Sequence, residues 1–217
     1  MDWYYLDKDK LIGNCKKLTL KPIDIKKIIT EIDTITGDQW NTQFRSKIHQ
    51  DTQSIFLRGH PPIDNIPEDS DRNILSQLPY IKHFIHHELP GVPRKCLIAK
   101  LLPQGVIKLH EDGSKQRNPK SGLIYDYFKS TIRLHIPIVS NENVAFYIKN
   151  QFYNMPVGEA WAINNLSTHG VINNNTDLVR IHIIVDIIPN LSQQQFIQSC
   201  EEPTGWFNQA AYDHVAN

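Results

Sequence analysis

Hydrophobic positions along this chain change their period near residue 93. Before that point helical spacing dominates. Pro22 followed by IDIKKIITEIDTI puts Ile25, Ile28, Ile29 and Ile32 on one stripe, and proline suits the opening of a helix. SIFLRG (54–59) reads as a strand, and residues 60–72, with three prolines and many acids, read as a loop. A second helix is predicted from Pro79, ended by Pro90-Gly91.

From residue 94 short alternating runs take over, separated by turn residues. Strands are predicted at 94–102, 106–110, 130–140, 144–150, 159–165, 169–173 and 178–188. Asn141–Asn143 and Asn173–Asp177 read as hairpin turns. The polar stretch 113–129 reads as a long loop of the kind used for a lid or a binding loop, and LSQQQFIQSC (191–200) as a closing helix. The expected fold is mainly β with flanking helices, a double-stranded β-helix or cupin-like jelly roll. A single domain is expected over 1–217: a mixed support at 1–92, a jelly-roll core at 93–190, and a helix and tail at 191–217.

Composition narrows the class. Lys+Arg and Asp+Glu both number 23, so nothing draws a nucleic acid or an anionic membrane to the surface as a whole. Cys15, Cys96 and Cys200 form no C-x-x-C and no even framework, which suggests reduced thiols in the cytoplasm. The opening MDWYYLDKDK lacks the pattern of a signal peptide.

The candidate chemistry starts at His110-Glu111-Asp112, at the end of a predicted strand. Residues i and i+2 of a strand share a face, so one metal could meet both side chains. With a distant histidine, two His and one carboxylate leave positions open, as a non-haem Fe(II) oxygenase requires for O2 and a chelating co-substrate. Alone, the motif is equally a polar strand end. His49-Gln50-Asp51 has the same spacing but precedes the β-rich half, and His86-His87-Glu88 sits on a predicted helix, where i and i+2 diverge.

The companions carry more. His169 opens the predicted strand HGVIN, and eleven residues later Arg180 interrupts an apolar strand. If residues 173–177 form a hairpin, His169 and Arg180 lie on adjacent strands. An arginine on a buried strand needs a partner: a dicarboxylate co-substrate held by the guanidinium, or a protein acid. In 178–188, Arg180, His182, Ile184 and Asp186 share the face expected to line the barrel, while Ile181, Ile183, Val185 and Ile187 pack under the helices. His182 and Asp186 read as supporting groups. Arg133 and His135 repeat the pattern in STIRLHIPIVS, as a second carboxylate grip or as a core pair satisfied by acids and carbonyls.

Three segments, IRLHIPI (132–138), GEAWAINNLSTHGV (158–171) and RIHIIVDI (180–187), together resemble the aspartyl/asparaginyl β-hydroxylase family of 2-oxoglutarate-dependent oxygenases. The resemblance runs from about Lys95 to Pro189. It implies a jelly roll with Fe(II) on His110 and His169, and 2-oxoglutarate met by Arg180, Arg133 and His135. It also implies O2 consumption with release of succinate and CO2. Asp112 supplies the carboxylate ligand, as in the family's small bacterial amino-acid hydroxylases such as the L-proline cis-hydroxylases. Asn165 departs from relatives, which carry an acid shortly before the distal histidine.

Three functions follow as expectations. The first is hydroxylation of a free amino acid or an amino-acid-derived small molecule, with Arg58, Lys115 and Arg117, and also Lys120 and Lys129, as candidate substrate contacts. The second is β-hydroxylation of Asp or Asn side chains in a protein or peptide. The third is a metal-binding, cupin-like protein without oxygenase activity, in which both Arg133 and Arg180 would pair with protein acids.

Overall fold

A computed structural model describes residues 5–40, 47–59, 69–113, 115–117 and 124–217. The helices are a one-turn α1 (Lys8–Leu11), α2 (Ile25–Ile32), α3 (Pro79–His87), α4 (Tyr127–Ser130), α5 (Leu191–Ser199) and α6 (Gln209–Ala216). The strands are β1 (Cys15–Leu18), β2 (Thr52–Arg58), β3 (Val92–Leu101), β4 (Val106–His110), β5 (Lys115–Arg117) and β6 (Ile124–Asp126). They continue with β7 (Ile132–Val139), β8 (Val144–Ile148), β9 (Gln151–Tyr153), β10 (Ala160–Ile163), β11 (His169–Asn173) and β12 (Arg180–Ile188).

Two antiparallel sheets face each other. The larger has the order β1-β10-β7-β12-β3-β2 and the smaller β4-β11-β8-β9. This is the expected jelly-roll layout, with the helices outside. Alternation along the strands decides the layers. Ile132, Leu134 and Ile136 of β7, with Ile183, Val185 and Ile187 of β12, turn outward. There they meet Ile28 and Ile32 of α2 and Ile81, Phe84 and Ile85 of α3. Between the sheets, Leu101, Phe146, Ile148, Trp161, Ile163 and Val171 form a second core. The outer face of the smaller sheet is covered by Val215 of α6.

Several local expectations need correction. α2 opens at Ile25, three residues after Pro22, and Asp24 caps it, its carboxylate accepting from the Lys27 amide. Part of the stretch read as a loop at 113–129 forms the β5–β6 ribbon and α4. The two asparagine-rich turns are not hairpins. Each carries the chain from one sheet to the other: β7 to β8 through Asn141–Asn143, and β11 to β12 through Asn173–Asp177. His169 and Arg180 therefore stand on opposed sheets, not on adjacent strands. The asparagine amides tie both corners together. Asn141 Nδ2 donates to Asn175 Oδ1 at 2.8 Å, and Asn175 Nδ2 donates to Asn173 Oδ1 at 2.7 Å.

Cys15, Cys96 and Cys200 are buried and unbridged. Among the described residues, no helix is long and apolar enough to cross a membrane.

Candidate metal centre

β4 and β11 are neighbours in the smaller sheet, with His110 opposite His169 in register. A bulge interrupts the pairing between His169 and Val171. Gly170 sits within it, and a Cβ there would lie 2.8 Å from the Ile107 carbonyl oxygen. The missing side chain lets the two backbones approach, and the imidazole centroids come to 4.2 Å.

Each imidazole is oriented by its own strand. His110 Nδ1 lies 2.7 Å from the Lys108 carbonyl oxygen, and His169 Nδ1 lies 2.9 Å from that of Ser167. A carbonyl only accepts, so each Nδ1 carries a proton, which in the neutral ring leaves Nε2 with the lone pair a metal needs. Asp112 Oδ1 lies 4.0 Å from His110 Nε2, and Asp112 Oδ2 lies 4.0 Å from His169 Nε2. The donor atoms of the three residues all fall within 4.8 Å of one another. Two imidazoles and a carboxylate so placed could hold one divalent ion in a facial arrangement. Burial pulls His169 down to about 4, against the pull of Asp112, so it is neutral at pH 7. Glu111 points elsewhere and accepts from the Thr168 hydroxyl.

Asp112 is held from behind. Its Oδ2 accepts from Arg133 Nη1 and, at 2.9 Å, from Asn165 Nδ2. Burial would raise its pKa, but Arg133, His169 and the Asn165 amide together hold it well below the carboxylate range. Arg133 also clasps Asp186, through Nε at 2.8 Å and Nη2 at 3.0 Å. Burial would lower the Arg133 pKa, yet the two carboxylates outweigh it and raise it. This differs from the carboxylate grip expected of Arg133. Its guanidinium lies between two protein acids and is already neutralised.

Arg180 differs. It is 1% exposed, and among the described residues no acid pairs with it. Its Nη2 donates to His182 Nδ1 at 2.7 Å, and its Nε has no partner among the described residues. Burial alone pulls it down to about 9, so it stays charged at neutral pH. His135 and His182 approach through their Nδ1 atoms at 3.4 Å. Both are held well below the ordinary histidine range, by burial first and then by the Arg180 cation.

One cavity of about 300 Å³ lies between the sheets, and Asp186 is among the residues that border it. His110, Asp112 and His169 line it together with Arg133, His135 and Arg180. An unpaired buried cation beside a metal-competent triad is what a chelating dicarboxylate would complement, so the residues present fit both Fe(II) and 2-oxoglutarate.

The expected substrate contacts fare differently. Arg58 ends β2 outside the cavity lining, bound to Asp71 and, through Nε at 3.0 Å, to the Pro93 carbonyl. Lys115 and Arg117 lie on β5, but their side chains, like Lys120, fall outside the described residues. Lys129 pairs with Asp126 at 3.4 Å, half-exposed. His86, of the second rejected motif, pairs with Asp71 on the surface. His49, of the first, lines the cavity with its ring centroid 5.0 Å from that of His110. Lys95, Phe56 and Phe128 also line the cavity, and no motif marked them. The signal available for Asn165 was its departure from the acid of relatives, and for Asp186 its place on the inward face of β12.

The model of the family described as aspartyl/asparaginyl beta-hydroxylase matches residues 25–189. No curated protein matches the chain. Among solved structures, the non-heme alpha-ketoglutarate-dependent carbocyclase SnoK from nogalamycin biosynthesis superposes with a TM-score of 0.55 at 11% identity, covering 85% of this chain and 84% of that one. A Pseudomonas putida prolyl-4-hydroxylase gives 0.48 at 10% identity over 84% of this chain and 96% of its own. The viral collagen prolyl hydroxylase of Paramecium bursaria Chlorella virus-1 gives 0.48 at 8%, over 82% and 97%. The first likeness is one of fold, and the other two are looser and add no weight. The sequence match spans most of the chain, and it coincides with the facing sheets and the His-Asp-His cluster. This chain therefore belongs to the aspartyl/asparaginyl β-hydroxylase family of 2-oxoglutarate- and iron(II)-dependent oxygenases.

Proposed function

We propose that the chain hydroxylates a free amino acid or an amino-acid-derived small molecule, with Fe(II) on His110, Asp112 and His169 and the distal carboxylate of 2-oxoglutarate on Arg180. The observation that carries this reading is the Arg180 guanidinium. It is fully buried, unmatched by any described acid, and open to the same cavity as the triad. A buried cation without a partner is costly, and a carboxylate ligand removes that cost. Bound iron and 2-oxoglutarate supply the oxidising chemistry, consuming O2 and releasing succinate and CO2 as one oxygen atom passes to the substrate.

The chain's own residues orient and desolvate. Arg133 does not fit a co-substrate grip in this reading. It holds Asp112 in place, with Asp186 balancing its charge. His135 borders the co-substrate from β7. A cavity of about 300 Å³ lies at the small end for ligand sites. It suits 2-oxoglutarate with a small second molecule better than a peptide. A cytoplasmic setting fits the three unbridged thiols.

The family's description favours a second reading, β-hydroxylation of Asp or Asn in a protein or peptide. The third, a metal-binding protein without oxygenase activity, expected both arginines to pair with acids. Arg133 does, but among the described residues Arg180 does not, which weighs against it.

The test is succinate formation by the full chain, prepared without metal under anaerobic conditions and then supplied with Fe(II), 2-oxoglutarate and O2. A panel of free amino acids is compared with Asp- and Asn-containing peptides, with His110→Ala as the blank. Acceleration by a free amino acid, with a matching gain of oxygen mass, supports the first reading. Acceleration by peptides alone replaces it with the second. No succinate from iron-loaded protein removes both.

A further inference from the structure

We propose that Lys8 is a positioning residue of the metal centre, acting through Asn165 to fix which oxygen of Asp112 faces the ion. This rests on the His110-Asp112-His169 reading above and deepens it.

The chain of contacts starts at the N-terminal turn. Lys8 is 3% exposed, although it lies on a helix of one turn. Lysines are rarely buried unless something requires it. Its Nζ donates to Asn165 Oδ1 at 2.6 Å. Asn165 is fully buried, and its Nδ2 donates to Asp112 Oδ2 at 2.9 Å. The Asp112 amide in turn donates to the Asn165 carbonyl at 2.9 Å, clamping the two backbones together.

An asparagine amide can flip, exchanging donor and acceptor. Lys8 prevents that. An amine meets the amide oxygen with an N–H in either charge state, so the Asn165 NH2 is left to face Asp112. Asn165 and Arg133 both use Oδ2, so among the described residues Oδ1 is the carboxylate oxygen without a hydrogen bond. With Oδ2 engaged by two donors, Asp112 would offer an ion Oδ1 alone, which would keep a coordination position open. An acid at 165 could not do this: it would set a second carboxylate against Asp112. The amide at this position and the carboxylate at 112 therefore belong together. Lys8 lies before the segment matched by the family, which begins at residue 25, so the centre draws on a part of the chain outside that match.

The test is metal affinity, read as free Mn(II) by electron paramagnetic resonance during titration of the full chain. Outer-sphere partners of metal ligands typically contribute about 10–100-fold in affinity. Lys8→Met should weaken Mn(II) binding by about 10-fold, and Asn165→Ala by at least as much. The double variant should be no weaker than Asn165→Ala, because Lys8 acts only through the amide. Asn165→Asp should also bind weakly while melting cooperatively, which separates positioning from folding. Lys10→Met, on the exposed side of the same turn, should bind as the parent does. Full-strength binding by a folded Lys8→Met, or additive losses in the double variant, would overturn the role of Lys8 alone. If the parent chain binds no Mn(II), or His110→Ala binds as well as the parent, the metal centre falls and this role with it.

Discussion

Arg180 Nη2 lies 2.7 Å from His182 Nδ1, two residues along the same strand. A guanidinium only donates, so this contact fixes the tautomer: His182 Nδ1 carries the lone pair and Nε2 the proton. That proton has no partner among the described residues. His182 thus holds one side of the guanidinium and leaves the rest to the cavity. His182→Leu should weaken 2-oxoglutarate binding by about 10-fold, on the scale of one charge-assisted hydrogen bond, with kcat at saturating co-substrate kept. Equilibrium titration of 2-oxoglutarate reads the first, and nitrogen NMR of the ring reads the tautomer. An Nδ1-protonated His182 would contradict the assignment.

Arg180 itself should give effects of opposite sign. Removing a buried cation that no described acid balances relieves a desolvation cost, so Arg180→Met should melt no lower than the parent in the absence of ligands. The same substitution should lower 2-oxoglutarate affinity by about 100-fold or more. A structural ion pair would show the reverse, a strong loss of stability. Thermal melts with and without 2-oxoglutarate decide between them.

Gly170 stands where a side chain does not fit. A Cβ would sit 2.8 Å from the Ile107 carbonyl oxygen, and strand β11 would have to move away from β4. Gly170→Ala should cost about 1–3 kcal/mol of stability and weaken metal binding, because His169 moves with its strand. Urea unfolding and metal titration of the same preparation check both. Unchanged metal affinity would mean that the bulge does not set the ligand separation.

Lys8 should make stability depend on pH. Burial lowers its pKa from 10.5 to about 7. Between those values the unfolded chain holds a proton that the folded chain lacks, so raising the pH favours the folded state. Below about pH 7 both states are protonated and the effect is constant. The unfolding free energy of the parent minus that of Lys8→Met should therefore rise from pH 7 toward pH 10, by at most about 1.4 kcal/mol per unit. Groups common to both proteins cancel. A flat difference would mean that the Lys8 amine is not desolvated in the folded protein.

Much of the architecture was legible because strand period is a local property. β4 and β11 follow from short β-type runs bounded by turn residues, the inward face of β12 from alternation, and α3 from Pro79 and the apolar spacing after it. The short elements β1, β9 and α1 were not legible. Three or four residues carry too little pattern, and these segments take their form from the neighbours they pair with. The turns at 141–143 and 173–177 misled for a related reason. Asparagine marks a change of direction, but whether the chain returns beside its own strand or crosses to a facing sheet depends on what lies opposite.

The candidate ligands were readable along the chain. His110 and Asp112 share a face through strand geometry, and the order of motifs around His169 and Arg180 carried the family. Which cation is matched and which is not depends on how the strands come together. Arg133 and Arg180 look alike along the chain, each two residues before a histidine on a buried strand. Asp186 on β12 stands opposite Arg133 on β7 in register, and Asp112 closes on it from the other sheet. Arg180 stands opposite Leu101. Charge pairing is a relation between strands, and a single strand cannot express it.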